Sequence, residues 1–293
     1  MDTSVKVEFG LMVGSCNGLV CVCNHSVILI WNPATREHKA LPTPCVDPMF
    51  PNPLCMRVSV GFGFHLTDYK VVRVVNCRGL NGRPVPAKVE VYSTGTGCWR
   101  MINTTLPCDI EQRKCSVILK GVPYWLGFGP FWPDTIFQPG VARRNEFVVS
   151  FDMGEEAFRL MDVPDAGGSH YRYSKRLGVY NDSLAIIYFL CPEQVAANFI
   201  EFWVLKDQGV DECWSKVLRI GPFEYLGIPL GCWNNGVVIW QNHEDELLLH
   251  DPNTNEIKKL PIHGTPASTT TVSTYTESLV PVKEPRRQRS VGG

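Results

Sequence analysis

Trp31-Asn32-Pro33-Ala34-Thr35-Arg36-Glu37, running on to Leu41-Pro42, recurs near the far end of the chain. There it reads His250-Asp251-Pro252-Asn253-Thr254-Asn255-Glu256, running on to Leu260-Pro261 with the same internal spacing. Each copy is an apolar strand, an Asn/Asp-Pro-x-Thr turn and a return strand. Pro presets φ for the first central turn position, and Asn or Asp caps the turn with its own side chain. Weaker copies lie between: Val91-Tyr92-Ser93-Thr94-Gly95 before Cys98-Trp99-Arg100, Ser150-Phe151-Asp152-Met153 before Phe158-Arg159, and Phe202-Trp203-Val204-Leu205 before Cys213-Trp214-Ser215-Lys216.

A second hairpin type alternates with the first. Asn17-Gly18 within GSCNGLVC and Asn234-Asn235-Gly236 within LGCWNNGV carry the strongest short hairpin signal. Asp68-Tyr69-Lys70, Lys120-Gly121-Val122 and Asn181-Asp182-Ser183 stand in the equivalent place in the middle copies. One hairpin of each type makes a four-stranded unit, repeated about every 46 to 60 residues, the spacing of propeller blades. Five complete units are expected near 10–42, 57–103, 114–163, 174–220 and 228–261. Thr270 to Glu277 and Ser278 to Val282 read as one more hairpin, half of a sixth blade. The expected fold is therefore all-β: a kelch-like β-propeller of five blades plus a partial sixth over residues 1–282, followed by a disordered basic tail, 283–293, with Arg286, Arg287 and Arg289. A β-sandwich is the alternative. Trp31, Trp99, Trp203, Trp214, Trp233 and Trp240 are assigned to blade packing.

Composition supports a large apolar core: 44% of the 293 residues are hydrophobic and 19% charged. Net charge is -1, so no field favours phosphate backbones or anionic lipid, and neither a nucleic-acid nor a membrane partner is expected. No signal peptide and no apolar run near the ~20 residues of a membrane helix is present. A cytoplasmic, or nuclear, location follows. The twelve cysteines include no Cys-x-x-Cys pair, and Cys16, Cys98, Cys115, Cys213 and Cys232 stand in apolar or aromatic surroundings, where thiols act as small hydrophobes.

Three segments carry a catalytic or binding spacing, and each fails on its context. Gly14-Ser15-Cys16-Asn17-Gly18 has nucleophile-elbow spacing, but a strand and not a helix follows it. His243-Glu244-Asp245-Glu246 lacks the helical His spacing of a metalloprotease. Gly61-Phe62-Gly63-Phe64 leads into a strand with no helix N-terminus to hold a phosphate. No enzyme, metal or cofactor is expected.

The order of landmarks resembles the F-box-associated domain of plant F-box proteins, a kelch-like module. GSCNGLVCV, WNPATREHKALP, GFGFHLTDYKVVRVV, KVEVYSTGTGCWR, GVPYWLG, VVSFDMGEEAFRLMDVP, LGVYNDSLAIIY, FWVLKDQGVDECWSKV and YTESLVPV follow one another as in that family. The resemblance implies a substrate-recognition module of an SCF-type ubiquitin ligase, whose partner is the target protein for ubiquitination. No F-box precedes Gly14, since Met1 to Phe9 is too short for three amphipathic helices. A Skp-type adaptor and cullin are thus expected only if an F-box is supplied upstream. A glycan-binding propeller and a non-catalytic scaffold are the competing functions.

In a four-stranded blade, turns within the two hairpins open on one rim and the remaining connections on the other. The long connections, after Leu41, Val75, Leu126, Val163 and Leu190, all fall in the second set. Long loops grouped on one end of a rigid scaffold are where recognition residues concentrate. The candidates there are Arg78, Arg83, Phe128, Phe131, Trp132, Phe137, Arg143, Arg144, His170, Tyr171 and Arg172, aromatic and guanidinium groups typical of interface hot spots. Against this stands a structural reading: Phe128, Trp132 and Phe137 pack the loop or plug the channel, and the arginines are solvated.

Overall fold

Each repeat unit becomes one antiparallel sheet. The computed structural model describes residues 10–24, 27–46, 57–78, 84–106, 108–110, 114–129, 146–164, 173–190, 198–207, 212–223, 227–233, 236–265 and 270–282. The first blade is β1 (Leu11–Cys16), β2 (Leu19–Cys23), β3 (Ile28–Asn32) and β4 (Glu37–Ala40); the second is β5 (Arg57–His65), β6 (Asp68–Arg78), β7 (Pro84–Ser93) and β8 (Cys98–Ile102). The third holds β9 (Asp109–Ile110), β10 (Val117–Leu119), β11 (Val122–Phe128), β12 (Glu146–Asp152) and β13 (Ala157–Asp162), with the short β9 also pairing β11. The fourth is β14 (Tyr173–Tyr180), β15 (Ser183–Leu190), β16 (Asn198–Asp207) and β17 (Glu212–Phe223); the fifth is β18 (Ile228–Cys232), β19 (Val238–Gln241), β20 (Glu246–Asp251) and β21 (Glu256–His263). Five sheets, each ordered as its strands follow in sequence, make a five-bladed propeller; the sandwich is set aside.

The turns explain the repeat. The last residue of the third strand caps the turn that follows it. Asn32 Oδ1 accepts from the amides of Ala34 (2.9 Å) and Thr35 (3.3 Å), Asp152 Oδ1 from Gly154 (2.8 Å) and Glu155 (2.9 Å), and Asp251 Oδ1 from Asn253 (2.8 Å). In the second blade Ser93 Oγ accepts from Thr96 at 3.3 Å. The fourth turn residue is left-handed each time: Arg36 (φ 61), Gly97 (φ 70), Glu156 (φ 55) and Asn255 (φ 58). The first hairpins turn on paired positive φ at Asn17-Gly18, Lys120-Gly121 and Asn181-Asp182, the geometry that matches strand twist. One expected turn is displaced. Asp68-Tyr69-Lys70 lies inside β6, and the turn is Leu66-Thr67. Asp68 instead accepts from Ser93 Oγ (2.7 Å), Thr94 Oγ1 (2.9 Å) and the Gly95 amide (2.9 Å), tying the blade's two turns together.

Both faces of a blade are buried, so strands read as continuous apolar runs and not as an alternation of apolar with polar. In β15, Ile186 joins Leu126, Val148 and Leu177 in the core between the third and fourth blades. Its neighbour Ile187 joins Phe202, Val238 and Trp240 between the fourth and fifth. The first three blades share one larger core through Ile30, Phe62, Val71, Tyr92, Trp125 and Phe151. Trp99 Nε1 donates to Pro42 O (2.8 Å) and Trp214 Nε1 to Asp162 O (2.9 Å), so a tryptophan on the outer strand grips the exit of the preceding blade. Trp99 and Trp240 are buried, and Trp203 and Trp214 pack partly. Trp31 and Trp233, expected in the packing, are 39% and 60% exposed.

The half-blade expected at the C-terminal end is not formed: the described residues 270–282 contain no strand. They run as an extended strap from the start of the third blade, where Lys114 Nζ donates to Thr271 Oγ1 (2.7 Å), to the first. There Asn32 Nδ2 donates to Ser278 O (2.9 Å) and Val280 O (2.8 Å), and the Val282 amide donates to Glu37 Oε2 (3.2 Å). Val282 is buried in the shared core. Two of the strap's carbonyls, Ser278 O and Val280 O, accept from the Asn32 side chain of blade 1, and Pro281 has no N–H to offer a ladder.

Candidate interaction rim and its pocket

An antiparallel meander sends alternate connections to opposite rims. The turns within hairpins lie on one rim; the connections β4–β5, β6–β7, β11–β12, β13–β14 and β15–β16 lie on the other, as the sequence indicates. Of the candidate residues, Phe128 is described and ends β11 half-buried. Arg78 ends β6, with only its backbone described. Arg83, Phe131, Trp132, Phe137, Arg143, Arg144, His170, Tyr171 and Arg172 lie outside the described residues.

Phe128 leads to a pocket. A cavity of about 250 Å³ opens between the third and fourth blades, lined by Leu126, Gly127, Phe128, Glu146, Ser174 and Lys175. Strand register places its walls. Phe128 stands opposite Glu146 across β11 and β12, and Lys175 stands opposite Tyr188 across β14 and β15. Lys175 reaches over the gap between blades to ion-pair with Glu146, and its ammonium sits 5.5 Å from the centre of the Tyr188 ring. Its side chain is only 7% exposed, and this burial pushes its pKa down from 10.5 to about 8.

The walls are held from outside. Tyr188 Oη donates to Pro164 O (2.6 Å), Trp214 Nε1 to Asp162 O (2.9 Å), and the Val163 amide to Glu146 O (3.4 Å). The Tyr188 and Trp214 bonds pin the end of β13 and the connection after it to the fourth blade, and the Val163 bond holds that connection to β12, directly beside the pocket. At Gly127 a Cβ would come within 2.7 Å of Val149 and 2.8 Å of the Cys108 sulfur, so only glycine lets β11 lie this close to its neighbours. Glu146, Ser174 and Lys175 are not among the residues the sequence singles out, because long loops draw attention away from the strand ends that border them. A signal existed: Lys175-Arg176 interrupts an inner strand that is otherwise apolar or small.

The same rim carries a buried ion pair of a different kind. Arg73 and Glu90 pair inside the second blade; Glu90 Oε2 accepts from the Val46 amide (3.1 Å) and Arg73 donates to Val46 O (2.9 Å). That arrangement anchors the connection after β4. On the opposite rim, Lys70 Nζ donates to Met153 O (2.7 Å) and Glu156 (2.8 Å), and Arg100 also pairs with Glu156, clasping the second blade to the third. Burial alone would raise the Glu156 pKa, but the Lys70 and Arg100 contacts together outweigh it and leave the carboxyl below its ordinary value. Cys16 of the elbow-like segment is buried, and its pKa is pushed up to about 11, unsuited to nucleophilic work. Among the described residues no group of three or more His, Cys, Asp or Glu is placed to hold a metal ion.

Residues 2–282 match the family model described as F-box associated beta propeller domain. The chain is 24% identical over 301 residues to an F-box protein of Arabidopsis thaliana, covering 87% of this chain and 66% of that one. A putative F-box protein of the same plant is 28% identical over 210 residues (69% and 43%), and an F-box/kelch-repeat protein 25% identical over 252 residues (83% and 62%). The chain thus spans 43 to 66% of the length of these relatives. Among solved structures, an alpha-L-arabinofuranosidase from Lactobacillus brevis aligns at TM-score 0.37 with 11% identity, over 86% of this chain and 85% of that one.

Proposed function

The chain belongs to the F-box associated beta propeller domain family, and from that premise we propose that it is the target-recognition module of an SCF-type ubiquitin ligase. The observation that carries this reading is the family match across all five blades, residues 2–282, to relatives named as F-box proteins. The rim architecture supports it. Rigid blades present long connections on a single end, the arrangement in which binding residues are displayed on loops and positioned by a scaffold. In this reading the target protein docks on that rim, at the pocket beside Phe128 and on the loop residues Arg143, Arg144, Phe131 and Trp132. The Skp-type adaptor and cullin join only where an F-box is supplied upstream, and ubiquitin transfer is performed by other subunits. The site of action is the cytoplasm or nucleus.

Affinity capture from plant tissue tests it. Proteins retained by the wild-type chain are expected to be lost when Arg143 and Arg144 are both replaced by Glu, and to lengthen their half-lives when cullin ligases are inhibited. Retained proteins whose turnover ignores cullin inhibition would overturn the ligase assignment. Capture unchanged by the rim variant would overturn the rim.

A further inference from the structure

The pocket between the third and fourth blades ends in a donor and an acceptor set side by side. Lys175 carries three N–H bonds. Its ammonium ion-pairs with Glu146 but makes no hydrogen bond among the described residues, although the side chain is nine-tenths buried. The Glu146 carboxylate, a quarter exposed, keeps lone pairs beyond those directed at Lys175. Leu126 and Phe128 supply apolar wall next to this pair. A cavity of about 250 Å³ falls below the ~300–1,000 Å³ of small-molecule sites; it suits a single side chain.

Chemistry narrows which one. A carboxylate would satisfy Lys175 but lie against the charge of Glu146, and an ammonium or guanidinium would do the reverse. A trans peptide bond points its N–H and C=O in opposite directions, so one unit reaches only one of the two groups. A primary carboxamide presents C=O and N–H on one edge, the first to Lys175 and the second to Glu146, so each of the two charged groups gains a partner of the right sign. Resting on the reading of this rim as a polypeptide-binding surface, we propose that the pocket is the anchor for a glutamine side chain of the bound protein. The glutamine methylenes pack on Leu126 and Phe128, and its carboxamide bridges Lys175 and Glu146.

The test uses the full chain with lysine labelled at 13Cε, the Lys175 signal being assigned by its loss in Lys175→Met. N-acetyl-glutamine methylamide is titrated alongside the matching glutamate, methionine and lysine derivatives. The expected result is a saturable shift of the Lys175 signal with the glutamine probe, at least tenfold weaker with each of the others and lost in Glu146→Ala. No saturable shift, equal binding of the methionine probe, or tighter binding of the glutamate probe would each overturn the proposal on the unmutated protein alone. The two readings separate cleanly. Glutamine binding combined with target capture that ignores the rim variants overturns the rim and keeps the pocket; capture lost in the rim variants with no glutamine binding overturns the pocket and keeps the rim.

Discussion

Asn32 and Ser278, 246 positions apart in the chain, are joined by a 2.9 Å hydrogen bond from the Asn32 amide nitrogen to the Ser278 carbonyl. The same nitrogen reaches Val280 O at 2.8 Å, while Oδ1 holds the amides of the following turn. One fully buried side chain therefore shapes its own turn and fastens the C-terminal strap. Asp251, its counterpart in the repeated motif, caps its turn alone.

Asn32→Ala is expected to cost about 2–4 kcal/mol, because it removes several hydrogen bonds made by a fully buried side chain, whereas Asp251→Ala costs about 1 kcal/mol. Urea melts give both values, and amide exchange at Val280 and Val282 reports release of the strap. Equal losses at the two positions would sink the idea that the strap depends on Asn32.

Glycine substitutions separate backbone strain from crowding. Gly97 has φ +70, and a Cβ added there would meet nothing within 4 Å, so Gly97→Ala should cost only the left-handed strain, about 1 kcal/mol. Gly18 has φ +82, and a Cβ there would stand 2.2 Å from the Ser278 side chain and 3.0 Å from its backbone nitrogen. Gly18→Ala is expected to lose clearly more stability and to free the strap as Asn32→Ala does. Thermal melts of the two variants that coincide would contradict this.

The repeat was legible because turn chemistry is local. Asn32-Pro33 and Asp251-Pro252 name their own conformation, and five copies of such hairpins are enough to count blades. Long-range partners were not legible in the same way. The strap residues Thr271 to Glu277 are rich in β-branched side chains, which argues for a strand; the docking of Ser278 to Val282 on blade 1 depends on where Asn32 and Glu37 stand after folding. Trp31 illustrates the same limit, since it sits on β3 as its neighbours do but ends 39% exposed. At the candidate site, aromatic and arginine content pointed to loops. The pairing of Glu146 with Lys175 joins residues from two blades; Lys175 stands out in its strand, but nothing in either stretch names its partner.

Glu90 is fully buried and holds Arg73 and the Val46 amide. Glu90→Ala leaves a guanidinium buried without its partner and should cost about 3–5 kcal/mol. The connection after β4, which holds no Lys or Arg but offers Leu54 to chymotrypsin, should also become cleavable by that protease under conditions where the wild type resists. A loss under ~1 kcal/mol would mean that water reaches Arg73 freely.

The described cysteines are free thiols, and burial raises the pKa of Cys16 to about 11 and of Cys108, Cys115 and Cys232 to about 12. Thiolate is the reacting species, so these should alkylate at least about tenfold more slowly at pH 8 than exposed Cys45 and Cys98. Timed iodoacetamide labelling with mass spectrometry reads the order directly. Cys115 reacting as fast as Cys45 would show that the core opens readily.

Lys175 makes stability depend on pH with a definite sign. Its folded pKa, about 8, lies below the ordinary lysine value of 10.5, so between these limits the unfolded chain binds a proton that the native state has released. Stability then rises with pH, by up to about 1.4 kcal/mol per unit across that window. Below pH 8 both states are protonated, and the cost of the buried charge is carried in full with no slope. Lys175→Met, which keeps the length of the side chain without its charge, should remove the rise. The measurement is the difference in unfolding free energy between wild type and Lys175→Met from pH 7.5 to 10, which cancels the other groups that titrate there. A difference that stays constant over this range, or one in which the wild type loses ground as pH rises, would mean that Glu146 holds Lys175 protonated in the folded state and that the ion pair outweighs burial.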